Sequence, residues 1–195
     1  MRIIGGELKG RRFMPPANLQ ARPTTDMAKE SLFNILNNMI DFEEVSVLDM
    51  FGGTGGRSLE FSSRGSREIV TIEKNSINYS FIRKTINDLG VSDRINLIKA
   101  DAFKFVNNTG GKWDVIFADP PYALEELPQL PDLVFEKGLL KSGGLFILEH
   151  PKNFSFANHK HFSDHRNYGH VNFSFFSNGQ EANGDAQESG TSTDD

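Results

Sequence analysis

Five short apolar runs, each separated from the next by a helix-forming segment, constrain this chain more than any other feature. They fall at 45–49, 68–73, 95–99, 113–118 and 145–149. Runs of this length with little polar alternation read as strands buried on both faces. Ahead of the first lies a helical stripe of Ala28, Leu32, Ile35, Leu36, Met39 and Ile40. A helix through about Arg64 follows the first strand. The next carries Ile82, Ile86 and Leu89 on one face, with Asn75 to cap it and Gly90 to stop it. A short helix begins at Ala102, and 124–137 is partly helical, interrupted by Pro128 and Pro131. Gly143 and Gly144 turn the chain into the fifth run. Strands joined by helices in this way predict an α/β fold with a doubly wound, mostly parallel sheet. Two later segments, 161–168 and 171–177, flank Gly169 and predict an antiparallel pair at the sheet edge. At 195 residues, one domain is expected.

In a sheet of this type ligands bind beyond the carboxyl ends of the strands. Four successive runs end there in an acid: Asp49, Glu73, Asp101 and Asp119. After the first comes Met50-Phe51-Gly52-Gly53-Thr54-Gly55-Gly56, a loop whose glycines let a ligand approach backbone N–H groups. Glu73 lies about twenty residues beyond Gly53, the separation at which a Rossmann-type fold accepts ribose hydroxyls. Asp101 suits an adenine amine and suits equally the cap of the helix behind it. After the fourth run stands Asp119-Pro120-Pro121-Tyr122: a carboxylate, a carbonyl on stiffened backbone and an aromatic face within one turn. Those groups can hold a planar base by its exocyclic amine.

Charge distribution bears on the partner. The chain carries a net −5, all of it attributable to Glu181, Asp185, Glu188, Asp194 and Asp195 in the segment 178–195, which has no Lys or Arg. That segment, rich in Gly, Ser, Asn and Thr, is expected to be a disordered acidic tail to a single domain at 1–177. The first 22 residues hold Arg2, Lys9, Arg11, Arg12 and Arg22 against Glu7. This basic arm reads as a small β-hairpin, two short strands broken by Gly5-Gly6 with Lys9-Gly10 a second possible turn, available to RNA. With no cysteine, disulfides and thiolate zinc sites are excluded, and the five histidines lack a ligand set, so no metal is expected. No apolar run approaches the roughly 18 residues of a membrane span, and no signal-peptide core precedes the arm. A cytoplasmic protein with no membrane partner is expected.

The four acids in that order, with the glycine loop and Asp119-Pro120-Pro121-Tyr122, resemble class I S-adenosylmethionine-dependent methyltransferases that modify exocyclic amines. Further segments narrow the resemblance. Met1 to Gly6, Lys9-Gly10-Arg11, Arg22 to Asp26, Leu32 to Leu36, Leu48 to Phe51, Ser63-Arg64-Gly65 and Tyr168-Gly169 look like the RsmD family of bacterial 16S ribosomal RNA guanine-N2 methyltransferases. The similarity runs from Met1 to about Phe176. It implies a Rossmann-like, seven-stranded sheet and S-adenosyl-L-methionine as cofactor. By the same resemblance Asp49 and the loop Phe51, Gly52, Gly53, Thr54 and Gly55 border the methionine moiety, which Thr24 and Thr25 also approach. Glu73 with Lys74 meets the ribose, and Asp101 with Ala102 the adenine. Ser58 departs from the family pattern, standing where a third glycine is expected, as does Gly52, where alanine is common; the cofactor loop is expected to be freer at Gly52.

The implied partner is 16S ribosomal RNA or an assembling small subunit, bound by a monomer. Asp119 and the Pro120 carbonyl would each accept an N2–H bond from guanine while Tyr122 stacks on the base. The target must be unpaired or flipped. Two other readings stay open: methylation of adenine N6 in DNA or RNA, and an RNA- or ribosome-binding module without turnover.

Overall fold

The computed structural model describes residues 1–17 and 26–178. Helix α1 (Asp26–Leu36) precedes β1 (Ser46–Asp49), after which strands and helices alternate: α2 (Gly56–Ser63), β2 (Glu68–Ile72), α3 (Ser76–Leu89), β3 (Ile95–Ile98), α4 (Ala102–Asn108), β4 (Trp113–Ala118). A 3₁₀ turn (Leu127–Gln129) leads into α5 (Leu130–Glu136) and β5 (Leu140–His150), and the chain closes with β6 (Phe162–Tyr168) and β7 (Val171–Ser177). The seven strands form one sheet in the order β3-β2-β1-β4-β5-β7-β6. The first five are parallel, and β7 runs antiparallel between β5 and β6.

Alternation along the central strands divides the core. Val47, Val115, Phe117 and Ile147 join α1, α2 and α3 through Leu32, Phe33, Leu59 and Ile82. Leu48, Ile116, Phe146 and Leu148 face the other way, toward Val106, Leu130 and Val134 of α4 and α5. Side chains on a strand point to opposite faces in turn, so a continuous apolar run serves two cores. Local signals delimit the helices. Asn75 Oδ1 accepts from the amides of Ile77 and Asn78 at 2.8 and 3.2 Å, capping α3, and Gly90 ends it at φ 68°.

Three expectations need correction. Helix α1 stops at Leu36, so Met39 lies in a turn with 52% of its surface exposed, while Phe33, outside the predicted stripe, is fully buried. Strand β5 begins before the glycine pair. Trp113 pairs with Leu140 and Val115 with Leu145, and the excess residues are absorbed around Gly143 at φ 72°. The arm does not form two strands around Gly5-Gly6; instead residues 1–3 pair with 11–13 through one antiparallel bridge, Arg2 to Arg12. Residues 5–10 make a loop seated on the end of α2, where Glu7 N donates to Ser63 O and Leu8 N to Ser63 Oγ.

The arm is anchored from inside. Glu60, with no exposed side-chain surface, accepts from the amides of Ile4 and Gly5 at 2.9 and 2.7 Å and pairs with Lys29 and Arg64 at 3.6 and 3.1 Å. Lys29 also donates to Arg2 O. Burial depresses the Lys29 ammonium below its ordinary range, with Glu60 opposing. A buried carboxylate needs such company.

Candidate active site

Two outward progressions meet between β1 and β4. From β1 the chain moves through β2 to β3; from β4 it moves the other way. Neighbouring loops therefore diverge at the carboxyl ends of β1 and β4, opening the crevice expected at a topological switch point. A cavity of about 1310 Å³ lies there. That exceeds the usual 300–1,000 Å³ of a pocket for one small molecule, and leaves room for a cofactor beside a nucleobase.

The glycine loop forms one wall. Gly52 N donates to Ile72 O at 2.8 Å and Gly53 N to Glu73 Oε2 at 2.8 Å, while Gly53 and Gly55 take positive φ of 56° and 77°. Glu73 is buried, not a solvated strand end, and its other oxygen accepts from Asn75 N at 2.6 Å. It thus staples the loop to the start of α3. A Cβ on Gly52 would stand 2.9 Å from Thr71 Cγ2 and 3.1 Å from Ile82 Cδ1. A side chain at this position would fit only if Thr71 and Ile82 gave way, so the loop packs closely at Gly52.

Of the residues singled out from sequence, Phe51, Gly53, Thr54, Glu73, Lys74, Asp101, Ala102, Asp119, Pro120, Pro121 and Tyr122 border this one cavity. Asp49, Gly52 and Gly55 do not; they shape its floor. Asp49 is 1% exposed, and its Oδ2 accepts from Ser58 Oγ at 2.7 Å; Ser58 Oγ also lies 2.7 Å from Thr71 Oγ1. Ser58 therefore adds a hydroxyl bridge below the loop rather than only filling a glycine's place. Burial pushes the Asp49 carboxyl up to about 6, against the pull of Arg57 and Ser58. Asp101 serves as the cap of α4, its Oδ1 accepting from Phe103 N and Lys104 N, while Oδ2 pairs with Lys74 at 3.0 Å. The Lys74 hydrogen bond holds its pKa below the usual carboxylate value. Phe51 and Phe103 meet edge to face at 6.4 Å beside it, so this end offers apolar rings with a carboxylate at the rim.

Of the expected RNA contacts, Lys9, Arg11 and Arg12 are exposed and form no ion pair among the described residues. Arg2 instead pairs with Asp26 at 3.3 Å. Arg22, Thr24, Thr25 and the acidic segment 179–195 lie outside the described residues. The arm reaches the cavity at a point not foreseen: Met1 borders it, with Sδ 3.1 Å from Thr54 Oγ1.

The loop after β4 holds the densest chemistry. Asp119 Oδ2 lies 2.9 Å from Arg57 Nη1, and the same guanidinium reaches Glu149 and stacks 4.4 Å over Phe117. Tyr122 Oη is 3.4 Å from Glu149 Oε1. Burial raises both carboxyls, Glu149 to about 7, with Arg57 opposing in each case. Burial also works against the Arg57 charge, but Asp119, Glu149 and Asp49 outweigh it and hold the guanidinium protonated. Neither Arg57 nor Glu149 was among the sequence candidates. Glu149 repeats the signal already used four times, an acid closing a buried run. Arg57 gave none, because a cation in the first turn of a helix is ordinarily solvated. Tyr168 at the end of β6 and His170 in the β6–β7 turn also border the cavity.

Among the described residues no group of three or more His, Asp or Glu is placed to hold a metal ion, and no helix is long and apolar enough to cross a membrane.

Sequence comparison places this architecture among known proteins. The family model described as conserved hypothetical protein 95 matches residues 1–177. Ribosomal RNA small subunit methyltransferase D of Escherichia coli strain K12 is 30% identical over 149 residues, covering 76% of this chain and 74% of that protein. A solved hypothetical protein of Thermus thermophilus superposes with a TM-score of 0.79 at 27% identity, over 90% of this chain and 98% of the other. An RNA methyltransferase from Salinibacter ruber, solved with S-adenosyl-L-homocysteine, shares the fold at 15% identity and a TM-score of 0.63, over 80% of this chain and 93% of its own.

Proposed function

Because the chain belongs to the family described as conserved hypothetical protein 95, which the RsmD-type ribosomal RNA methyltransferases share, we propose that it methylates the exocyclic N2 of a guanine in small-subunit ribosomal RNA. The methyl donor is S-adenosyl-L-methionine, whose sulfonium supplies an electrophilic methyl group when bound. The donor set fits it. A glycine loop with amides at positive-φ turns suits the methionine end, Glu73 on the cavity edge would take the ribose, and Asp101 with Phe51 and Phe103 offers an adenine its carboxylate and apolar rings.

The observation that carries the reading is that Asp119 to Tyr122 open into the same cavity as the glycine loop. Guanine presents N1–H and N2–H side by side, two donors toward one carboxylate. Adenine presents an acceptor at N1 beside its amine, so an ionised Asp119 favours guanine. Asp119 and the Pro120 carbonyl accept from N2, which draws the nitrogen out of conjugation and aims its lone pair. Tyr122 covers the base. Such positioning accounts for roughly 7–11 kcal/mol of a barrier. Asp119, as the acceptor of an N2–H bond, can also take the proton that N2 releases. The exposed cations Lys9, Arg11 and Arg12 hold the RNA backbone, and the enzyme acts as a monomer of one domain, 1–177, in the cytoplasm.

The test is transfer of labelled methyl to unmodified small-subunit RNA or subunits, with nucleoside analysis, wild type beside Asp119→Ala. N2-methylguanosine from wild type, reduced about 100-fold or more in the variant, is expected. N6-methyladenosine would overturn the substrate, and cofactor binding without labelling of any RNA would favour a binding module.

A further inference from the structure

Arg57 occupies the first turn of α2, directly behind the glycine loop, yet its side chain turns across the floor of the cavity and is only 12% exposed. It bridges acids from two neighbouring strands. Ala118 pairs with Leu148, so Asp119 and Glu149 follow side by side at the ends of β4 and β5. Both carboxylates meet the one guanidinium, with side-chain exposures of 19% and 5%. The ring of Phe117 closes the cation from below at 4.4 Å.

The other charges around it are few. From β1, Asp49 lies behind the guanidinium; from α1, Lys29 faces it, with Glu60 and Asp26 as Lys29's own partners. Tyr122 approaches Glu149 from the loop. Lys74 and Asp101 pair with each other on the opposite wall of the cavity, and His170 borders it from the β6–β7 turn. Arg57 is thus the cation in contact with both Asp119 and Glu149.

Two carboxyl groups this close, and this far from water, do not both ionise without a counter-charge. Without one, a proton from solvent would be shared between them. Burial and repulsion from Asp119 raise the Glu149 carboxyl, while the Tyr122 hydroxyl, which can donate to Glu149, returns part of that proton to Asp119. A protonated Asp119 offers a donor where an amine needs an acceptor. We propose that Arg57 is a positioning residue for methyl transfer: by pairing with Asp119 and Glu149 together it keeps Asp119 ionised and turned into the cavity, and Glu149 is the competing acid that makes this cation necessary. The inference rests on Asp119 as the amine acceptor.

The variants are Arg57→Met, close in volume and neutral, and the double variant Arg57→Met/Glu149→Gln, which removes cation and competitor together. Arg57→Met is expected to lose activity about tenfold or more at pH 7, its acid limb moving up by about one pH unit or more. The KM for S-adenosylmethionine should stay within about threefold of wild type, because the Arg57 side chain reaches past the glycine loop to the two acids. The double variant should recover most of the lost rate and return the acid limb toward the wild-type position. Carbon-13 NMR titration of the Asp119 and Glu149 carboxyls reads the same coupling without turnover; the apparent pKa of the pair should rise in Arg57→Met and fall back in the double variant. Unchanged carboxyl titrations in Arg57→Met, or a pH profile parallel to wild type with no recovery in the double variant, would overturn the proposal. If wild type itself does not methylate guanine, the proposed function fails while the NMR titration still decides the electrostatic coupling.

Discussion

At the scale of single residues, the site is governed by burial of charge. Asp49 shows the rule most simply, since its carboxyl lies under the cavity floor with Ser58 as its hydroxyl partner. Its pKa in the folded protein, about 6, stands above the ordinary 3.8. The folded state therefore binds the proton more tightly than the unfolded chain, and stability falls as pH rises between about 4 and 6, the loss being complete above that window. The difference corresponds to about 3 kcal/mol. Asp49→Asn, of the same shape without the charge, should be more stable than wild type at pH 8 by up to that amount. The advantage should vanish near pH 4 in a series of urea titrations, and a gain independent of pH would refute the assignment. The sequence marked Asp49 by its place at a strand end. That it would sit beneath the cavity floor rather than on the cavity wall depended on Ser58 of α2, which bonds it, and on Thr71 of β2, which meets Ser58. Ser58, read only as a departure from a glycine pattern, contributes a hydrogen bond that a glycine lacks.

At the scale of elements, the arm and α2 behave as one unit. Helix α2 spans 8 residues, about 12 Å, with Met1 near its first turn and the loop 5–10 on its last. Glu60 fastens the two by accepting two arm amides while it balances Lys29 and Arg64. Glu60→Gln leaves those cations without their carboxylate and should cost about 3 kcal/mol or more, with faster proteolytic cleavage within 1–17; cleavage at the wild-type rate would show the arm to be held otherwise. The basic composition of the arm was legible in sequence, its docking was not, because α2 reads as an ordinary amphipathic segment in which Glu60 would be solvated. Docking also sorts the cations. Arg2 is spent on Asp26, whereas Lys9, Arg11 and Arg12 remain exposed. Replacing those three by Gln should lower the slope of log affinity against log salt by about 2 for single-stranded RNA. A variant with the wild-type slope would place the RNA elsewhere.

At the scale of the whole molecule, the fold brings five acid-ended strands to one edge and parts the loops where the winding reverses. The family match ends at residue 177, so removing 179–195 should leave methyl transfer within about twofold of wild type; a large loss would give the acidic segment a part in the reaction. The chain by itself determined the strand–helix alternation, the parallel sheet with its antiparallel edge, the glycine loop and the Asp119 turn. Each of these depends on periodicity or on backbone chemistry that a few neighbouring residues specify. Only the tertiary structure decided that β5 runs through its glycine pair, that Asp101 caps a helix while bordering the cavity, and that Arg57 joins Asp119 to Glu149. Those outcomes turn on which side chains lose their water together. Partners 62 and 92 positions apart in the sequence meet at one guanidinium, and no local pattern encodes that meeting; the register of β4 beside β5 and the entry of α2 behind the glycine loop bring it about.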